Sequence, residues 1–96
     1  MAEQTRIVIA DDHPIFRSGL RQVIETDPSL CVVGEAGDGQ AALEMIVDLA
    51  PDVVVLDVNM PGLSGFAVVE SMRAKGITTE TVMLTMHNEE AMLAKR

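Results

Sequence analysis

The sequence predicts an α/β fold, a doubly wound parallel sheet with helices on both faces. Two short runs, residues 6–10 and 52–57, are dominated by apolar, mostly β-branched side chains and lead to acidic residues. Such runs are typical of strands that are buried on both faces of a parallel sheet. Strand-like and helix-like segments alternate along the chain with short connections, and right-handed crossovers place helices on both sides of the sheet.

The first half of the chain is expected to contain strands at residues 6–10 and 30–35, each followed by a helix. Pro14 suits the first turn of the first helix, and Pro28 follows its end. The second helix ends before Pro51. The apolar stripe of the first helix recurs at helical spacing: Phe16, Leu20, Val23 and Ile24.

The second half of the chain is expected to contain strands at residues 52–57 and 81–85. Ser64 can cap the third helix, and a fourth helix begins at residue 88 or 89. The inner stripe predicted for the third helix consists of Phe66, Val69 and Met72. The sequence therefore predicts four strands and four helices in strict alternation.

The composition limits the classes of function. The 96 residues suffice for one small core, without an internal repeat or a second domain. A net charge of −8 argues against direct binding to a nucleic acid backbone, which requires clustered basic residues. We expect neither secretion nor membrane insertion, because the sequence has no apolar signal region and no stretch that could cross a bilayer. The single cysteine, Cys31, fits a cytoplasmic location.

Three carboxylates are expected to converge at one edge of the sheet. Asp11 and Asp12 follow the first strand, Asp57 closes the third, and Thr85 ends the fourth. Ligands of open parallel sheets bind outside the carboxyl ends of the strands, where the strand order switches. Asp11, Asp12 and Asp57, here called the acidic cluster, would repel one another unless a cation neutralises them. Oxygen ligands favour a hard cation, so we expect a divalent-cation site for Mg²⁺.

The same positions suit phosphoryl transfer, which needs mostly in-line positioning and charge neutralisation. Asp57 is the best candidate for the nucleophile because it stands alone at the end of the most buried strand. Asp11 and Asp12 are better placed to bind the metal, and Thr85 could donate a hydrogen bond to the transferred group. We expect His13 to be a loop or helix-start residue without a catalytic role.

Four segments of the chain resemble the receiver domains of response regulators, particularly the NarL/FixJ-like (LuxR-type) branch. The resemblance covers the whole chain and implies the flavodoxin-like receiver fold. The segments fall in the family's order and spacing: IVIADDHP at residues 7–14, VGEAGDG at 33–39, DVVVLDVNMPG at 52–62 and VMLTMH at 82–87.

The resemblance implies a role for each site residue. Asp57 would accept a phosphoryl group from a sensor histidine kinase, without steady turnover as an enzyme. Asp12, Asp57 and the backbone carbonyl of Asn59 would ligate Mg²⁺, and Asp11 would hold a metal-bound water. Thr85 would be the switch hydroxyl, which moves toward the phosphoryl group and biases a surface used for dimerisation or output.

The chain departs from the family pattern at its C-terminal end. Receivers continue with a fifth strand, a phosphate-pairing lysine and a fifth helix, so residues 1–96 are expected to form an incomplete receiver domain. Uncovering a sheet edge would favour self-association, as a homodimer or by segment exchange. The helix-turn-helix domain that follows the receiver in this branch is also missing from the sequence, so DNA binding is expected only of the parent protein.

Two other functions compete with the receiver hypothesis. A phosphatase resembling the haloacid dehalogenase group would also use an aspartate nucleophile and Mg²⁺. Those enzymes need a second carboxylate two residues after the nucleophile, where this chain has Asn59. A phosphorylation-independent interaction module would keep the acidic cluster but bind partners without phosphoryl transfer.

Overall fold

The computed structural model of the protein describes residues 4–84, which form four strands and three helices. The predicted fourth helix and Thr85 lie outside the described residues. Within residues 4–84 we find no helix with the length and apolar character that crossing a membrane requires. The elements in chain order are β1 (Thr5–Ala10), α1 (Pro14–Ile24), β2 (Leu30–Ala36), α2 (Gly39–Leu49), β3 (Val53–Asp57), α3 (Gly65–Ala74) and β4 (Glu80–Leu84).

The four strands form one parallel sheet in the order β2-β1-β3-β4. The chain places β2 on one side of β1 and then crosses over to place β3 on the other side. Main-chain pairing sets Ile9 beside Val55 and Ala10 beside Leu56. The strand order therefore switches between β1 and β3, and the carboxyl ends of these two strands carry Asp11 and Asp57.

Both faces of the central strands are buried, as the doubly wound prediction requires. Val8 and Ala10 face a cluster formed mainly with α2 and α3, whereas Ile7 and Ile9 face the cluster on the α1 side. Successive side chains of a strand point to opposite faces, so the central strands β1 and β3 contribute side chains to the core on both sides of the sheet. The fold class predicted from the sequence is confirmed.

Helix α1 packs on the sheet through fewer side chains than its sequence predicts. Leu20 and Ile24, four residues apart, contact the core cluster on the α1 side. Val23, expected in the same stripe, is 68% exposed. At about 100° of helical rotation per residue, Val23 lies about 60° from Leu20 and about 100° from Ile24, which places it at the margin of the side that contacts the sheet.

Helix α3 is rotated relative to the predicted stripe. Val68 and Met72 are buried against the sheet, and Val69 packs beside them, but Phe66 is 63% exposed. Phe66 precedes Val68 by two residues, which places it about 200° around the helix. The prediction that Phe66 faces inward is therefore wrong. The predicted Ser64 cap is confirmed, since Ser64 Oγ accepts a hydrogen bond from the Ala67 N–H at 3.2 Å.

Two glycines allow the loop after β3 to pack closely against its surroundings. At Gly39, the first residue of α2, an added Cβ would overlap the backbone carbonyl of Leu63. At Gly65, the first residue of α3, an added Cβ would lie 2.7 Å from the carbonyl oxygen of Asp57. These contacts hold the loop between β3 and α3 against the end of β3 and the start of α2.

We predict opposite effects of alanine at two helical glycines. Gly39→Ala should lower the free energy of unfolding by about 1–3 kcal/mol, because the methyl group overlaps backbone atoms that cannot easily move. Gly19→Ala, where nothing lies within 4 Å of the added Cβ, should raise it by about 0.5–1 kcal/mol, because alanine favours the helix. Urea unfolding monitored by circular dichroism measures both changes. An unfolding midpoint of Gly39→Ala equal to that of the wild type would contradict the close packing at Gly39.

Candidate functional site

The acidic cluster lies at the carboxyl ends of the two central strands. Asp11 directly follows β1 and is 0% exposed, and Asp57, the last residue of β3, is 2% exposed. Asp12 lies on the exposed loop between β1 and α1. The switch in strand order brings residues from distant parts of the sequence together here, as expected for a parallel sheet.

The donor atoms of the cluster are close enough to share one cation. One carboxylate oxygen from each of Asp11, Asp12 and Asp57, together with a ring nitrogen of His13, all lie within 4.8 Å of one another. The Asn59 N–H donates a hydrogen bond to Asp57 Oδ1 at 3.2 Å, so Asn59 also adjoins the cluster. The structure thus brings together Asp11, Asp12, Asp57 and Asn59, whereas Thr85 lies outside the described residues.

His13 joins the cluster, although from the sequence it is expected to be only a loop or helix-start residue. It lies directly before α1, as expected, but its Nδ1 is 2.9 Å from Asp11 Oδ1, 3.0 Å from Asp12 Oδ1 and 3.9 Å from Asp57 Oδ2. The hydrogen bond to Asp11 and the charge of Asp12 raise the pKa of His13 above its ordinary value. Its position directly after an acidic pair was the signal in the sequence that could have indicated this.

Burial and mutual repulsion make the ionised carboxylates of the cluster unfavourable. Burial raises the pKa of Asp57, and the charges of Asp11 and Asp12 raise it further, although the Asn59 N–H and the charge of His13 oppose this effect. Asp11 Oδ2 is buried without a hydrogen-bond partner among the described residues. A buried carboxylate oxygen without a donor is unfavourable, and a hard cation is the partner that a set of carboxylates selects. The residues present therefore fit Mg²⁺.

A second layer of charged residues holds the cluster from the side of α1. The guanidinium of Arg17 donates one hydrogen bond to the backbone carbonyl of Asp11 and another to Glu35 Oε1 at 3.1 Å. Arg21 Nη1 donates to Glu35 Oε2 at 2.6 Å. These hydrogen bonds, that from Arg21 foremost, lower the pKa of Glu35. Arg17 thereby links the end of β1 to β2, a role that its place in the sequence alone did not indicate.

Comparisons with known proteins agree on one family. The family model of the response regulator receiver domain matches residues 7–96. The probable transcriptional regulatory protein NarL of Mycobacterium tuberculosis is 42% identical over 91 residues, which cover 95% of this chain and 42% of that protein. The nitrate/nitrite response regulator protein NarP of Escherichia coli is 43% identical over 81 residues, covering 84% of this chain and 38% of that protein.

A solved structure shows the same architecture. The signal receiver domain of the NarL response regulator from Mycobacterium tuberculosis is similar to this chain with a TM-score of 0.86 and 41% sequence identity. The similarity covers 97% of this chain and 75% of that one. The chain spans less than half of the length of the two curated relatives named above.

We predict that Asp57→Asn stabilises the metal-free protein at neutral pH. Asp57 has a raised pKa in the folded state, so its charge opposes folding wherever it is ionised. The amide should raise the free energy of unfolding by about 0.5–2 kcal/mol, a common gain for stabilising substitutions. This gain should shrink as the pH falls through the raised pKa and vanish below the pKa of the unfolded chain, about 4.

Urea unfolding in chelator-treated buffer across this pH range tests the effect. Asp48→Asn, on the exposed surface of α2, removes an equal charge outside the cluster and should change stability by less than about 0.5 kcal/mol. Added Mg²⁺ should reduce the difference in the free energy of unfolding between Asp57→Asn and the wild type. A ligand that binds only the folded state stabilises it, and the wild type keeps the Asp57 carboxylate that we expect to bind Mg²⁺. A less stable Asp57→Asn protein in metal-free buffer would contradict the electrostatic account.

Proposed function

The chain belongs to the family of response regulator receiver domains, and we propose that it accepts a phosphoryl group on Asp57 with Mg²⁺ bound at the acidic cluster. The observation that carries this proposal is the convergence of two buried carboxylates, Asp11 and Asp57, with Asp11 Oδ2 lacking a hydrogen-bond partner among the described residues. Such an arrangement is unfavourable by itself and becomes favourable when a cation binds.

In this proposal Asp12, Asp57 and the backbone carbonyl of Asn59 would hold the metal, and Asp11 would orient a metal-bound water. When bound, Mg²⁺ supplies neutralisation of the carboxylates and of the phosphoryl oxygens. The 3.2 Å hydrogen bond from the Asn59 N–H to Asp57 Oδ1 orients the acceptor carboxylate. These features support positioning, which is the main requirement of phosphoryl transfer.

The reaction consumes the ionised carboxylate of Asp57. One of its oxygens forms a bond to phosphorus, while the bond from phosphorus to the donor breaks and its electron pair stays with the donor. For a sensor histidine kinase the broken bond is to an imidazole nitrogen, and for acetyl phosphate it is to an acyl oxygen. The product is an acyl phosphate on the protein itself, so we do not regard the chain as a turnover enzyme.

We propose that the phosphorylated state is transmitted through Thr85, the residue that follows β4 in the sequence. Its hydroxyl would donate a hydrogen bond to the phosphoryl group and bias a surface used for output or for self-association, as a homodimer or by segment exchange. DNA would be contacted through a helix-turn-helix domain of a longer, cytoplasmic regulator. The net charge of −8 agrees with a receiver that does not bind DNA itself.

We predict a single phosphate adduct after incubation with acetyl phosphate and Mg²⁺, measured as intact mass. Asp57→Asn should abolish the adduct, because the amide is not a competent nucleophile. Asp48→Asn, on the exposed surface of α2, should keep it, and chelation of the metal should prevent it. A folded wild-type protein that binds Mg²⁺ without forming an adduct would favour the interaction-module function instead. Steady release of phosphate from a generic ester would favour a phosphatase.

We predict that Thr85→Ala allows phosphorylation of Asp57 but abolishes the change in association state that follows it. The variant should still form the adduct on Asp57, but phosphorylation should no longer change its association state, because the hydroxyl that responds to the phosphoryl group is missing. Sedimentation velocity with and without acetyl phosphate measures the change. Thr85→Ser keeps the hydroxyl and should behave like the wild type, whereas a full response in Thr85→Ala would remove Thr85 from the mechanism.

A further inference from the structure

We propose that His13 Nδ1 is a ligand of the acidic cluster, so that the cluster binds a late first-row divalent ion such as Ni²⁺ in competition with Mg²⁺. The inference rests on the proposed cation site and adds the residue that determines which cation the site prefers. It assigns His13 a chemical function that its place at the start of α1 does not require, since its side chain makes no capping hydrogen bond there.

The distances around His13 Nδ1 match those between ligands of one metal ion. In an octahedral complex with bonds of about 2.1 Å, neighbouring ligand atoms lie about 3.0 Å apart and opposite ones about 4.2 Å apart. His13 Nδ1 lies 3.0 Å from Asp12 Oδ1 and 3.9 Å from Asp57 Oδ2, the two carboxylates proposed above as ligands, and 2.9 Å from Asp11 Oδ1 beside them. An ion among these atoms could therefore be bound by the imidazole and the carboxylates together.

The backbone of His13 is anchored on both sides, which keeps the imidazole beside the cluster. Its N–H donates to Asp11 Oδ1 at 2.7 Å, and its carbonyl accepts from the Arg17 N–H at 2.9 Å in the first turn of α1. The side chain is 62% exposed, so an incoming ion can reach the nitrogen from solvent. Anchoring of a ligand before binding reduces the entropy lost when the metal binds.

The buried carboxylate of Asp11 gives a second, independent observation that points to a cation at the cluster. Although the imidazole lies beside Asp11 Oδ1, the other oxygen of that fully buried carboxylate, Oδ2, has no hydrogen-bond partner among the described residues. A single N–H at Nδ1 cannot satisfy three carboxylates. A divalent ion brings two positive charges and several coordination positions to the same place.

The nitrogen donor changes which ion is favoured. Sites made only of carboxylate, carbonyl and water oxygens suit Mg²⁺, whereas imidazole suits Ni²⁺, Cu²⁺ and Zn²⁺. Mg²⁺ keeps several waters and gains little from the nitrogen. His13 should therefore strengthen binding of the transition-metal ion selectively, and such an ion should displace Mg²⁺ from the cluster.

Isothermal titration calorimetry with Ni²⁺ and with Mg²⁺ on the whole chain tests the proposal, with all proteins compared at one pH because metal affinity depends on pH. His13→Ala should lower the affinity for Ni²⁺ at least tenfold, since loss of even an outer-shell partner of a metal ligand costs about 10–100-fold. Its affinity for Mg²⁺ should fall by a clearly smaller factor, because Mg²⁺ keeps several waters and gains less from a nitrogen ligand.

Two variants locate the bound ion. Asp12→Asn should weaken binding of both ions because it removes a charge of the cluster, and Asp48→Asn on exposed α2 should weaken neither. Parallel losses of Ni²⁺ and Mg²⁺ affinity in His13→Ala would overturn the proposal and leave His13 as a residue that only orders the loop. Unchanged Ni²⁺ affinity in His13→Ala, or Ni²⁺ binding that is insensitive to Asp12→Asn, would overturn it as well.

The outcome separates this inference from the proposed function. If the wild type and Asp48→Asn form the Asp57-dependent phosphate adduct with Mg²⁺, while His13→Ala loses more affinity for Ni²⁺ than for Mg²⁺, both stand. If the wild type forms the adduct with Mg²⁺ but the wild type and His13→Ala bind Ni²⁺ equally, only the role of His13 fails. If the wild type binds neither ion, the cation site itself is wrong and the role of His13 fails with it.

Discussion

The lateral pairing of β1 with β3 at the centre of the sheet is the arrangement on which the site depends. Both strands are covered on their two faces, and main-chain pairing places Ala10 beside Leu56. The next residue of each strand is an aspartate, so two carboxylates are held side by side where little water reaches them. Burying like charges together is unfavourable, and the packing of the surrounding aliphatic core has to compensate for it.

The elements around this acid pair limit how the repulsion can be relieved. Arg17 holds the backbone carbonyl of Asp11, and the first residue of α3, Gly65, lies directly against the carbonyl of Asp57. The backbone therefore cannot easily carry the two carboxylates apart. The repulsion between the carboxylates therefore has to be reduced by neutralisation, through a proton, the His13 imidazole or a bound cation. The charge of the cluster thus depends on which of these it binds.

The sequence was sufficient to predict the fold and the carboxylates of the site, because both follow from strand positions. Asp11 and Asp57 are the first acids after uniformly apolar runs, and parallel strands end at a common edge. Side-chain orientation was harder to predict. Helical spacing left the rotation of α3 open, so Phe66 was assigned inward although it is 63% exposed. The position of the His13 ring follows from contacts with Asp11 and Asp12, which helical or strand periodicity does not encode.

The switch in strand order also has a consequence for folding. Asp11 and Asp57 are separated in the chain by two helices and the edge strand β2, yet they become neighbours only when β1 and β3 pair. No local segment contains the whole site, so a chain that has formed only its first half lacks Asp57 and Asn59 from it. Contacts between distant parts of a chain form slowly, and any ion that binds the cluster selects molecules in which the whole central sheet is assembled.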